Sequence, residues 1–269
     1  MTTAILNRHA RSQRTLAARA EWIKLRSVRS TTWTAISVVV SSIALSAIAS
    51  AGTAAGWAHD SAAEKASFDP TNASLPGLIF GILGIGVVGA LSICSEYSSG
   101  TMATTLAAVP DRWALVRAKA MVLGIAAFVL SEATTLTAFL CGQALLATKA
   151  PHQSLADGNA LQAVFLSGLG LTFLALFAHG LGYLVRHTAG AIAAFVGLLL
   201  ALPLIVLAFG TSFQNAVDQF LPMDIMSSSV STTVREAHTL SPWAGALVLG
   251  GYAALGLALG GRRFARRDA

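Results

Sequence analysis

Residues 189–210 read AGAIAAFVGLLLALPLIVLAFG, a run without one charged side chain. At a helical rise of about 1.5 Å per residue, roughly 20 residues cross a hydrocarbon core about 30 Å thick. A helix packed in a water-soluble core keeps one polar face, and this run has none. Pro203 lies within it. Reading outward along the chain finds five more runs of the same kind, near residues 33–55, 75–94, 120–147, 160–185 and 243–261. The expected fold is therefore all-α and polytopic, with six transmembrane helices over residues 33–261 and basic tails at 1–32 and 262–269.

Composition agrees. Hydrophobic residues make up 55% of the chain and charged ones 11%, against about 25% charged in an ordinary soluble domain. The charges also cluster between the apolar runs. Fifteen of the 18 Lys and Arg residues fall in the N-terminal tail, the loop after the second run, the turn at Arg186 and the C-terminal tail. The connections on the other side hold Lys65, Lys149 and Arg235. The positive-inside rule then places both termini in the cytoplasm. The net charge of +6 is explained by these flanks and by anionic lipid, so no nucleic-acid partner is expected. Ala47-Ile48-Ala49 resembles a signal-peptide cleavage site, but the run is too long and its basic leader too extended for a signal core, and the first span is expected to stay. Fourteen Arg to four Lys, in an Ala-rich chain, suggests a high-GC bacterium and hence a bacterial plasma membrane. For that reason Asn72-Ala73-Ser74 is read as a chance match to a glycosylation site.

The polar segments carry patterns of their own. Leu16, Ala20 and Ile23 share one helical face, and Trp22 among Lys24, Arg26 and Arg29 suits a helix lying at headgroup level. The loop at 95–119 bends at Gly100, with Thr101 a candidate cap. It then repeats Met102, Leu106 and Val109 at helical spacing up to Pro110. A short helix across the inner mouth is expected there. The connection at 211–241 shows Phe213, Val217, Phe220 and Leu221, then Pro222, then Ile225, Met226, Val230 and Val234. Two short helices on the outer face fit that spacing. The polar loop at 57–74 shows no comparable pattern.

The familiar chemistry is missing. None of the four lysines follows a glycine, so no phosphate loop is present, and the chain is not expected to be an enzyme. No His-Glu-x-x-His or paired Cys/His spacing suggests a metal. Cys94 and Cys141 fall near opposite faces and are not expected to pair. Ser167 and His179 lie about 18 Å apart along one helix and cannot form a dyad with each other. Glu132 is the most expensive residue, since an ionised carboxylate mid-span costs on the order of 3 kcal/mol or more. It and His179 are the candidates for a substrate path, with structural hydrogen bonding as the plainer role for each. Gly77 with Gly81, and Gly256 with Gly260, have helix-contact spacing that serves packing within one bundle or between two copies.

Taken in order, several segments resemble the type-2 ATP-binding-cassette exporter permeases. Glu21-Trp22-Ile23-Lys24-Leu25-Arg26-Ser27 is similar to that family's opening before the first span. Glu96-Tyr97-x-x-Gly100-Thr101, followed by Pro110-x-Arg112 and Lys119, is similar to its inner loop. The layout of six spans with a long last outer connection covers nearly the whole chain. The resemblance implies a dimer, with a second copy or a paralogue, bound to separate nucleotide-binding ATPase subunits that hold the ATP and Mg. It implies that Glu96, Gly100, Thr101, Met102, Leu106, Pro110, Arg112 and Arg186 couple to the ATPase. It also implies that Glu21, Trp22, Lys24 and Arg26 belong to the interfacial helix. Export of a hydrophobic compound, drug, lipid-linked molecule or peptide follows from the same likeness. A stand-alone secondary transporter with Glu132 as its proton-coupling group is the alternative. An intramembrane enzyme or an assembly subunit would need catalytic residues clustered at one depth, and the sequence offers none.

Overall fold

The computed structural model describes residues 19–24, 29–109, 111–232 and 239–266. Leu16, Arg26, Pro110 and Val234, all singled out above, lie outside the described residues. Every regular element among the described residues is helical. Six helices are long and apolar enough to cross a membrane: α2 (Arg29–Gly56), α5 (Leu78–Ser98), α7 (Arg112–Leu146), α8 (Ala160–Val185), α9 (Thr188–Val206) and α12 (Pro242–Arg266). Residues 19–24 form α1. Short helices fill the connections: α3 (Ala62–Ala66), α4 (Pro70–Ala73), α6 (Thr101–Ala108), α10 (Thr211–Val217) and α11 (Pro222–Val230).

Helix ends depart from the apolar runs for local reasons. α7 begins at Arg112 rather than near residue 120, because the Asp111 carboxylate accepts a hydrogen bond from the Ala114 amide at 3.0 Å and caps the helix in its polar flank. α9 stops at Val206, before the apolar run ends. Pro203 has no N–H to give the preceding turn, and three residues later the helix closes on its own carbonyl, with Leu207 N–H to Pro203 O at 3.0 Å. The loop at 57–74 is more ordered than its polarity suggests. Ser61 and Glu64 form a reciprocal capping box on α3, and the Ser61 hydroxyl and amide hold the Glu64 carboxyl below its ordinary range. Asp69 caps α4, with Pro70 at its first position. Both signals, Ser-x-x-Glu and Asp-Pro, stand in the sequence.

α8 is the central rod, packed against α5, α7, α9, α11 and α12. α2 lies outside, against α5 and α7. Where helices meet, small residues line the contact. α2 turns Ser42, Ser46 and Ser50 inward at every fourth position, and the Gly77 amide donates to Ser46 Oγ at 3.1 Å. A Cβ on Gly77 would strike the Ser42 carbonyl. On the other side of the bundle, a Cβ on Gly180 would strike the Gly256 backbone, and one on Gly260 the Gly180 carbonyl. Both glycine pairs thus serve packing within one chain. One apolar cluster, including Ile82, Ile85, Phe139, Leu171, Leu174 and Phe195, fills the middle. A second, including Ile93, Leu115, Val116, Tyr183 and Phe264, fills one end.

That second cluster marks the basic end, where α5, α8 and α12 finish and α7 and α9 begin. The opposite end is closed by amides and hydroxyls. Asp69 accepts from the Thr232 amide at 2.5 Å and the Thr232 hydroxyl at 2.9 Å, besides the Thr71 and Asn72 amides. Gln143 donates to Pro70 O at 2.9 Å and accepts from the Gln153 amide at 2.8 Å. The Asp69 bonds join the first connection to the last, and the Gln143 bonds tie the first connection to the one between α7 and α8.

Gly180→Leu should destabilise the bundle by about 2 kcal/mol or more, since the branch meets backbone that cannot step aside. Gly251→Leu has open space around its Cβ and should be close to neutral. Equal thermal midpoints for the two variants in detergent would show that the α8–α12 contact tolerates a side chain.

Candidate functional site

The basic end gathers the chain's most unusual chemistry. α5 closes at Ser98, and Gly100, at φ 71°, reverses the chain into α6. Few residues other than glycine hold that left-handed backbone cheaply. No side chain caps α6; the Thr101 hydroxyl instead pairs with that of Ser99 at 2.9 Å. One turn before the reversal, Glu96 points inward and is buried. Facing it from α7 is Lys119, only 3% exposed.

Lys119 Nζ donates to Glu96 Oε1 and, at 2.6 Å, to Glu21 Oε2 on α1. Lys24 Nζ stands 3.6 Å from Glu21 Oε1 and 3.6 Å from Glu96 Oε1. It also donates to Thr105 Oγ1 on α6 at 2.8 Å. Two ammonium groups and two carboxylates alternate, so these four groups balance among the described residues while pinning four elements. Breaking a buried pair by deleting one partner costs about 3–5 kcal/mol, because the other charge stays buried. Replacing the whole set by apolar groups need not destabilise at all. The network's value is that it specifies which elements lie together.

Around the network sit the other expected residues. Met102 is buried and Leu106 half-buried, both turned into the bundle, which leaves Ala103, Thr104, Ala107 and Ala108 as the exposed face of α6. Arg112 donates to Phe264 O at 3.0 Å and stacks on the Phe264 ring, which ties the start of α7 to the end of α12. Arg186 ends α8 in the left-handed conformation, at φ 60°, with its guanidinium over the Tyr97 ring at 5.5 Å. α1 docks by its acid: Glu21 is buried, whereas Trp22 and Ile23 face outward. Ala20 and Ile23, the described members of the apolar stripe, are exposed.

His179 and Glu132 part company. His179 is buried, with Nδ1 2.7 Å from Ser92 Oγ and its ring edge-on to Tyr183. It lines a cavity of about 320 Å³ together with Glu21, Lys24, Glu96 and Lys119. Glu132, on α7, lies elsewhere: its carboxylate is pressed against Gly168 of α8, eleven residues from His179 and about 16 Å away by helical rise. Its Oε1 has no partner among the described residues. Among those residues, no three His, Cys, Asp or Glu side chains come together as a metal site. Cys94 and Cys141 are both free thiols.

Lys119 is the residue that sequence reasoning undervalues, by counting it among the topology charges. A signal was present. Leu115, Lys119 and Val122 recur at i, i+4, i+7, which puts the lysine on the buried stripe of α7. Glu21 offers no such sign, since its partner lies 98 residues away.

The sequence profile of a family described as ABC-2 family transporter protein matches residues 17–202. No curated protein matches the chain. The matched span contains α1, the α5–α6 reversal and the Lys119 network.

Lys119→Ala should destabilise the chain by about 3 kcal/mol, since two buried carboxylates lose their shared cation. The triple variant Lys119→Ala, Glu21→Gln, Glu96→Gln should recover most of that loss. Thermal unfolding in detergent checks both. A triple variant no more stable than the single would show that shape, not charge, sets the cost.

Proposed function

The chain belongs to the ABC-2 transporter family, and from that premise we propose that it is the membrane-spanning subunit of an exporter driven by a separate ATPase. The permease role follows from the family and from six helices fit to cross a membrane. In our reading both termini are cytoplasmic, so the basic end faces the ATPase. That partner binds ATP and Mg, and two permease chains, alike or paralogous, form the path across a bacterial plasma membrane. The cargo is a hydrophobic compound, a drug, a lipid-linked molecule or a peptide.

One observation carries the proposal furthest. α6 projects a face of small residues, and its inner side is bonded through Thr105 and Lys24 to the Lys119 network. A displacement of α6 therefore reaches α1, α5 and α7 through direct contacts. An ATPase that binds α6 more tightly in one permease conformation than in another shifts the equilibrium by that difference and no more. Couplings of this kind are typically about 1–3 kcal/mol, comparable with the network's own interactions. Pro110 lies outside the described residues; with Gly100, we assign it to the segment that couples to the ATPase.

The test begins with affinity purification of the tagged chain from its native membrane. A nucleotide-binding ATPase should come with it, and its absence would remove the exporter reading. In the assembled complex, Lys24→Met should lower permease-stimulated ATP hydrolysis about tenfold while the subunits stay together. Undiminished stimulation would take the network out of the coupling path. Ala107→Trp, on the exposed face of α6, should weaken ATPase assembly without changing the fold of the permease.

A further inference from the structure

The cavity at the basic end is lined by more than charges. Val122 and Leu123 of α7 form an apolar wall, and Ser92 and Ser95 of α5 face it beside His179. Its volume of about 320 Å³ falls at the lower edge of the range for small-molecule pockets, which are typically apolar with a few placed polar groups. Two questions fix what such a space accepts: which charges are spent, and which hydrogen-bonding capacity is left.

Among the described residues, the charges of the lining pair with each other. Glu21, Lys24, Glu96 and Lys119 balance, and a ligand with net charge must pull one of these groups from its partner. That favours an uncharged occupant. Two buried polar atoms of the lining remain to be satisfied. Glu96 Oε2 is buried without a partner among the described residues, as is His179 Nε2. The state of that nitrogen follows from its neighbours. Ser92 Oγ lies 2.6 Å from Gly89 O and 2.7 Å from His179 Nδ1; we assign its one hydrogen to the nearer Gly89 O, which makes His179 Nδ1–H the donor to Ser92. In the neutral ring this leaves Nε2 a bare lone pair. Two buried acceptors without donors cost free energy, and a partner that supplies N–H or O–H groups relieves it.

We infer that this cavity is a binding site for an uncharged amphiphile whose apolar body lies on Val122 and Leu123 and whose hydroxyl or N–H groups donate to His179 and Glu96. To call that amphiphile the cargo, received on the cytosolic side, rests on the permease reading; the binding site itself does not.

The full chain in lipid nanodiscs, without any ATPase, provides the test. N-phenyl-1-naphthylamine is uncharged, apolar and carries one N–H, and its fluorescence rises on leaving water. Binding above the signal of empty nanodiscs should saturate in the wild type. It should weaken at least tenfold in Ser95→Phe, which fills the space, or in Val122→Trp should the first variant fail to fold. Two relatives of the probe isolate the chemistry by competition. 1-Phenoxynaphthalene, which lacks the donor, should bind about fivefold more weakly than the amine, and His179→Phe should erase that gap. The sulfonated relative, 8-anilinonaphthalene-1-sulfonate, should compete at least tenfold more weakly. Signal equal to empty nanodiscs, no effect of either filling variant, or equal affinity for the amine and the ether would overturn the site and leave the cavity to water. Equal affinity for the sulfonate would overturn the claim that the occupant is uncharged. None of these results bears on whether an ATPase co-purifies, so the two readings fall separately.

Discussion

A buried ammonium group between two carboxylates governs the basic end of this protein. Lys119 has little access to water, so it must find its counter-charges within the fold, and it finds them on α1 and α5. The requirement works both ways. Among the described residues of α1, Trp22 and Ile23 face outward, and Glu21 becomes its anchor. Glu96 sits one turn from the Gly100 reversal, so the direction in which α6 leaves is tied to the same cation. Lys24 and Thr105 close the ring by bonding α1 to α6. An apolar plug could fill the same volume, but it would not dictate which helices must meet. Charge pairing does, because each mismatch leaves a buried ion exposed to its full desolvation cost.

The rest of the bundle depends on close approach rather than on charge. In lipid, apolar side chains gain little by leaving one hydrocarbon surface for another, so contact depends on shape. The serine face of α2 on Gly77 and the crossing of Gly180 with Gly256 allow backbones to touch. At the far end, where water is available to compete, Asp69 and Gln143 join loops by hydrogen bonds instead. One end of the bundle is thus locked by ions, the middle by small residues and the other end by amides and hydroxyls.

Much of this was open to reading from the chain alone. Length and the lack of charge determine a helix that must cross lipid, because backbone groups in hydrocarbon have no other way to be satisfied. The count of six spans, the bend at Gly100 and the short helices before the last span all come from patterns a few residues long, and local rules suffice for them. The Ser61–Glu64 box and the Asp69-Pro70 cap were equally local, but a polar loop hid them from a search for apolar spacing. Only the tertiary structure decided that Glu21, Glu96 and Lys119 form one site, that Glu132 stands apart from it, and that Arg112 and Arg186 turn onto Phe264 and Tyr97. Their partners lie tens of residues away or more, and charge pairing between distant segments has no period. A linear chain displays spacing along one axis; which charges share a desolvated pocket is settled when helices pack and water leaves.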